Sequence, residues 1–144
     1  MPSFTIQVAN MVLEGPVVDI KVTVSKTLEA TLRAEKKDIP NPIPVKAMID
    51  TGATFSVIQV GLAKKLGLNP IGTATAQTPS TSTTGVQAYK YNLALFFPNL
   101  VTVEVNAVEM PLKGQNIQCL VGRDVLSLGV LVYTGYINQF TFTL

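Results

Sequence analysis

The sequence predicts a mostly β fold in one domain, with two or three short helices set between the strands. Short apolar stretches with a period of two recur from the first residues to the last, and that spacing belongs to half-buried strands. Val, Ile, Thr and aromatic residues fill those stretches, while Gly, Pro and Asn punctuate them. With 144 residues, 47% of them hydrophobic and 14% charged, the chain is long enough for one real core and too apolar for a disordered tail.

The elements follow in order. SFTIQVANMV spaces Phe4, Ile6 and Val8 two apart, as a strand does. GPVVDIKVTVS (15–25) opens on a turn dipeptide and continues through β-branched residues as a second strand. The charge-rich SKTLEATLRAEKKD then sets Leu28 and Leu32 four apart, with Ala30 and Ala34 beside them. A short surface helix fits that spacing, and an extension of the strand is its rival. IPNPIP (39–44) interrupts regular structure, and PVKAMID and FSVIQ are strands on either side of DTGAT. VGLAKKLGLNP (60–70) puts Leu62, Ala63 and Leu66 on one helical face, with Gly67 as the cap and Pro70 just beyond.

From Gly72 to Phe97 the sequence is at its most β-like. Ala/Thr alternation leads into a small polar tip, TPSTSTTG (78–85), and Val86–Phe97 leads out, which describes a long hairpin. Tyr89 and Tyr91 share one face of that second arm, where packing outweighs substrate stacking as their role. FPNL (97–100) is a turn and VTVEVNAVEM a strand. An apolar strand reaches Gly122, the short helix RDVLSL carries Asp124 in its first turn, and LVYTGYINQFTFTL closes the chain as a hairpin.

Composition removes several functions. A net charge of +2 is too small for a nucleic-acid or acidic-membrane surface, and the Lys64-Lys65 pair and the charges over 33–38 read as solvated faces. The first fifteen residues carry no basic n-region, and no apolar run has membrane-spanning length; a cytoplasmic chain with no membrane partner is expected. The absence of histidine excludes Ser-His and Cys-His nucleophiles and most zinc sites, so no metal is expected. Cys119, the single cysteine, lies in IQCLVG and reads as a buried, inert thiol. No phosphate-cradling motif is present. An enzyme built from these residues works through carboxylates, Lys, Tyr or a bound cofactor.

One stretch places an acid where an acid is costly. In VKAMIDTGATFSVI, Asp50 is the only charge between Ala47 and Ile58. Strand, Asp-Thr-Gly-Ala, strand describes a tight loop that displays one carboxylate. Gly52 allows the turn and close approach of a substrate, Thr51 offers a hydroxyl to an adjacent loop, and Ala53 keeps the wall small. Two carboxylates facing each other across a water share a proton and make a good hydrolase; one alone does not. Asp19, Asp38 and Asp124 lack a following Thr-Gly, so the second carboxylate is expected from a second copy of the chain across a two-fold axis.

These stretches resemble a retropepsin-like aspartic protease, the homodimeric class that includes retroviral proteases and their bacterial and cellular relatives. GPVVDIKVTVS resembles the first inner strand, VKAMIDTGATFSVI the catalytic strand and loop, TPSTSTTG stands in the place of the flap, and CLVGRDVL resembles the late apolar-apolar-Gly motif with its short helix. The resemblance implies a retropepsin-like closed β-barrel, the acid protease fold, over 1–144 with a surface insertion at about 26–43. It implies that Asp50 is the catalytic acid/base, that Thr51 braces the partner loop, and that Gly52 supports the site and bonds the substrate backbone. Ala53 and the tip residues Thr78, Pro79, Ser80, Thr81, Ser82, Thr83, Thr84 and Gly85 are implied to contact substrate. Gly122, Arg123 and Asp124 are implied to be structural, and the terminal strands PSFTIQV and FTFTL to interleave with those of the partner. Its partners are a second copy and a peptide or protein substrate, with no cofactor or nucleic acid, and activity favours acid to mildly acidic pH. Retroviral members carry Asp just after DTGA, able to pair with the late Arg. Here the position is Thr54, so Arg123 is expected to find another partner and Asp124 to point elsewhere.

The blander readings stand beside this one. Asp50 also fits a turn whose side chain caps its own loop, and the Thr/Ser tip a plain solvated turn. Thr54 and the unusual tip favour an alternative function, a catalytically weak or inactive protease-fold dimer that binds peptides or proteins. A small β-barrel with no protease relation is a third reading.

Overall fold

The computed structural model describes residues 1–76, 85–112 and 114–144. Its strands are β1 (Ser3–Gln7), β2 (Val17–Thr23), β3 (Ile43–Ile49), β4 (Val57–Gln59), β5 (Gly72–Ala76), β6 (Val86–Phe96), β7 (Thr102–Met110), β8 (Cys119–Val121), β9 (Val130–Thr134) and β10 (Gln139–Thr143). The helices are α1 (Met11–Glu14), α2 (Lys26–Ala34), α3 (Leu62–Lys65) and α4 (Arg123–Leu126), with a 3-10 turn over Gly135–Ile137.

Seven strands form one sheet in the order β2-β3-β8-β4-β7-β6-β5. Lys21–Thr23 of β2 also pair antiparallel with Ala94–Phe96 of β6, so six of those strands close on themselves as a barrel. Closure removes free edges from the barrel wall, and β5 is left outside as the companion of the protruding half of β6. The period of two then decides the inside. Val18, Ile20 and Val22 of β2, Val45, Ala47 and Ile49 of β3, and Val103, Val105 and Ala107 of β7 are buried. Leu93, Ala94 and Leu95 are buried in succession, because that part of β6 is covered on both faces.

A second sheet, β1-β10-β9, packs on the barrel through phenylalanines. Phe4 lies 6.1 Å from Phe97 in a stacked pair and 6.0 Å from Phe142 edge to face, and Phe140 is 6.4 Å from Phe4. β1 and β10 pair with each other along their whole length within one chain, Ser3 opposite Thr143 and Gln7 opposite Gln139. The expected interleaving with a second copy is thereby closed to β10, whose two edges are filled by β1 and β9, and stays open to β1, which keeps one free edge among the described residues.

The structure settles the open readings along the chain. Residues 26–34 are helical and not a strand extension: the Ser25 hydroxyl accepts a hydrogen bond from the Leu28 N–H at 3.2 Å, and Arg33 pairs with Glu29 at 2.7 Å one turn apart. The segment read as one strand from Ser3 to Val12 is strand only to Gln7, and a fourth helix, α1, follows it. The Asn10 carboxamide accepts from the N–H groups of Val12 and Leu13, the Glu14 carboxylate accepts from the Asn10 N–H, and Gly15 at φ 73° ends the turn. Tyr91 is 9% exposed and Tyr89 55%, so only the tyrosine on the barrel half of β6 packs.

Cys119 is fully buried in β8, as its apolar neighbours predict. Burial, with the nearby negative charge of Asp124, pushes its thiol up to about 12 from an ordinary value of 9.0. The thiolate is the reactive species, so folded protein at pH 8 is expected to resist alkylation for as long as it stays folded. Unfolding in urea exposes the thiol to immediate labelling, as mass spectrometry would read. The stability associated with this neutral thiol is present below pH 9.0 and falls as the pH rises towards 12, since the unfolded chain ionises first. Full labelling of folded protein at pH 8 would contradict this.

Candidate active site

Ile49 and Val121 are partners in the parallel ladder of β3 and β8, so the two strands end side by side and release Asp50 and Gly122 together. The Asp50 N–H donates to the Val121 carbonyl at 2.9 Å and fixes the start of the loop. The Ala53 N–H then donates to the Asp50 carbonyl at 3.2 Å, and the Gly52 N–H to Asp50 Oδ1 at 2.9 Å. Asp50 is therefore half-buried on a tight turn, its carboxylate oriented by the backbone of the glycine that follows. A Cβ at position 52 would stand 3.1 Å from that same carboxylate oxygen, a close fit that favours glycine.

Arg123 holds the loop from behind. Its N–H donates to the Ala53 carbonyl at 2.9 Å, Nη1 to the Thr51 carbonyl at 2.8 Å and Nη2 to Thr54 Oγ1 at 3.1 Å. The rigid guanidinium fork spans both ends of the loop. Thr54 itself, through its hydroxyl, is thus one partner of Arg123, where the sequence sent the arginine to another, and the Thr51 carbonyl is the second.

Asp124 points elsewhere, as expected, and its target is Ser56. The Ser56 N–H donates to Oδ2 at 2.9 Å and the Ser56 hydroxyl to Oδ1 at 2.8 Å. The Gly122 N–H donates in turn to the Ser56 hydroxyl oxygen at 3.1 Å. Ser56 is 0% exposed, and no buried side-chain polar atom lacks a partner among the described residues. Gly122 is required by this close approach: a Cβ there would lie 2.6 Å from the Phe55 carbonyl carbon. Ser56 went unrecognised in the sequence, although a serine at an inward position of an apolar strand is a signal of a buried polar contact.

Beside the loop lies a cleft of about 470 Å³. Ala53, Thr54 and Phe55 form one wall, Ala74 and Ala76 of β5 face them, and Val57 and Val108 close the inner end. Phe55, 47% exposed, is the largest side chain on the rim. The structure brings together Asp50, Thr51, Gly52, Ala53, Gly122, Arg123 and Asp124. Thr78 to Thr84 lie outside the described residues; Gly85, at φ 67°, begins the returning arm of the hairpin beside Val86, which pairs with Ala76. Among the described residues no cluster of His, Cys, Asp and Glu is placed to hold a metal ion, and no helix is long and apolar enough to cross a membrane.

A family model described as aspartyl protease matches residues 37–125, a span that includes the loop, the cleft and most of α4. A retropepsin-like aspartic protease from Rickettsia conorii has a similar solved structure, at TM-score 0.58 and 17% identity, over 97% of this chain and 90% of that one. The EIAV protease complexed with the inhibitor HBY-793 is also similar, at TM-score 0.46 and 14% identity over 78% of this chain and 85% of that one. No curated protein matches the sequence.

Proposed function

Because this chain belongs to the aspartyl protease family, we propose that it is an aspartic endopeptidase whose active site forms when two copies bring Asp50 to face its twin. The observation that carries this is the oriented carboxylate itself, fixed by the Gly52 N–H on a loop whose next residues, Gly52 to Phe55, line an uncharged cleft. Two carboxylates held face to face cannot both ionise, so the pair shares one proton. The ionised Asp50 takes a proton from a water, whose oxygen attacks the peptide carbonyl carbon, while the other Asp50 gives its proton to the carbonyl oxygen. The tetrahedral intermediate then breaks its C–N bond as the nitrogen receives a proton, and the pair returns to its single-proton state.

Thr51, exposed at the apex of the loop, braces the partner's loop in this reading, and Gly52 with Ala53 meets the substrate backbone. Gly122, Arg123 and Asp124 hold the loop in place. The two-fold axis runs beside β9, which follows directly on α4 and has one unpaired edge among the described residues. Val130, Val132 and Tyr133 are each more than half exposed there, the kind of edge a second copy covers.

The test is stoichiometry together with turnover. A peptide carrying a hydroxyl-bearing tetrahedral carbon in place of the scissile carbonyl is titrated calorimetrically into the purified chain, and cleavage of unfolded protein is followed by mass spectrometry at acid pH. One mimic bound per two chains, with cleavage, is the expected result. One mimic per monomer sinks the shared site. One per two chains without any turnover selects the peptide-binding dimer instead, the reading that Thr54 in place of an acid motivates.

A further inference from the structure

We infer that Lys90 is a specificity-determining residue of the cleft and selects peptides carrying an acidic side chain beside Phe55. This rests on the protease reading for its substrate class. Lys90 lies on β6 opposite Gly72 of β5 and Val108 of β7, and Val108 closes the inner end of the cleft. Its Nζ sits 5.4 Å from the centroid of the Phe55 ring, within cation–π range, so the rim aromatic and the ammonium form one unit. Lys90 makes no ion pair among the described residues, and the residues that line the cleft carry no charge of their own.

The consequence is a cleft lined by uncharged residues, with a half-buried cation set against its rim aromatic. A peptide laid along it in an extended conformation sends every second side chain towards the wall. A side chain that reaches Phe55 meets a positive charge that has no ion-pair partner among the described residues. Glu or Asp at that point completes an ion pair, Lys or Arg is repelled, and an apolar neighbour two residues away fills the space between Ala74 and Val57. Arg123 adds to the same field, since its guanidinium is bonded to a carbonyl and a hydroxyl rather than to a carboxylate.

The experiment uses peptide triplets that differ only in Glu, Gln or Lys, placed at each position from four residues before to four after the cleaved bond. Full-length wild type, Lys90→Met and Lys90→Glu are compared by kcat/KM. Binding of the same peptides is measured by fluorescence anisotropy on the Asp50→Asn background, with and without each Lys90 change. Wild type is expected to favour Glu over Gln at one position by roughly fivefold, the size of a partly exposed ion pair. Lys90→Met, which keeps the stem over the ring, is expected to level the Glu and Gln peptides, and Lys90→Glu to reverse the ranking towards Lys. Peptides bound with that charge ranking but never cut would overturn the hydrolytic reading and leave this inference standing. Peptides cut or bound with one charge ranking in all three proteins would overturn the inference and leave the protease reading intact. Peptides neither cut nor bound by any of the proteins would overturn both.

Discussion

Replacing Asp50 by Asn is expected to abolish peptide-bond hydrolysis, by at least about a hundredfold, while the chain melts within a few degrees of wild type. The two halves of that result have separate causes. Asn keeps an acceptor oxygen at the position of Oδ1, so the Gly52 N–H retains the 2.9 Å hydrogen bond that shapes the turn. The backbone bonds from Asp50 to Val121 and from Ala53 to Asp50 do not involve the side chain at all. What Asn loses is the ability to take a proton from water and return it. The symmetry of the site gives a sharper measurement. When wild type and Asp50→Asn are co-expressed in equal amounts and pair at random, only about one quarter of the dimers carry two intact carboxylates. Activity per chain is then expected near one quarter of wild type. Activity of one half would mean that each chain works alone, and undiminished cleavage by the pure variant would remove Asp50 from the chemistry.

The part of this site legible in the sequence is the part encoded in side-chain pattern. β-Branched and apolar content marks β2, β3 and β7 as strands, and the one acid in an apolar strand singles out Asp50. The partners of that acid were less visible because they are backbone groups or lie far away along the chain. Arg123 finds the Thr51 carbonyl, and no residue type announces an exposed carbonyl. Asp124 crosses to Ser56 over a separation of 68 residues, brought close only because β8 pairs with both β3 and β4. The β2–β6 pairing that closes the barrel has no local signature either, since two apolar strands do not state which edges they will share. Helix α1 was hidden differently. Its first two residues end a stretch whose opening half alternates like a strand, and the Asn10 side chain stops that pattern by satisfying two N–H groups that a helix start leaves open.

Asp124→Ala is expected to be the most destabilising single change near the site, lowering unfolding free energy by about 2–4 kcal/mol. Asp124 accepts from both the N–H and the hydroxyl of Ser56, and Ser56 is sealed from solvent. Removing the carboxylate leaves a buried N–H and a buried O–H without an acceptor, and each such orphan costs on the order of 1–3 kcal/mol. For a chain of this size, each kcal/mol moves the melting temperature by roughly 2–4 °C, so the change is visible in a simple thermal scan. The effect also reaches the active loop. Ser56 holds Gly122 through its hydroxyl oxygen, and Gly122 precedes the arginine that spans Thr51 to Thr54. Loss of Asp124 therefore loosens the support of Asp50 without touching it, and affinity for the tetrahedral mimic falls along with stability. Ser56→Ala shares one hydrogen-bond unit with Asp124→Ala, so the double variant is expected to lose less than the sum of the two single losses. Urea unfolding of the four proteins measures that coupling. Strict additivity, or an Asp124→Ala chain that melts with wild type, would show that the Asp124–Ser56–Gly122 link does not hold the loop.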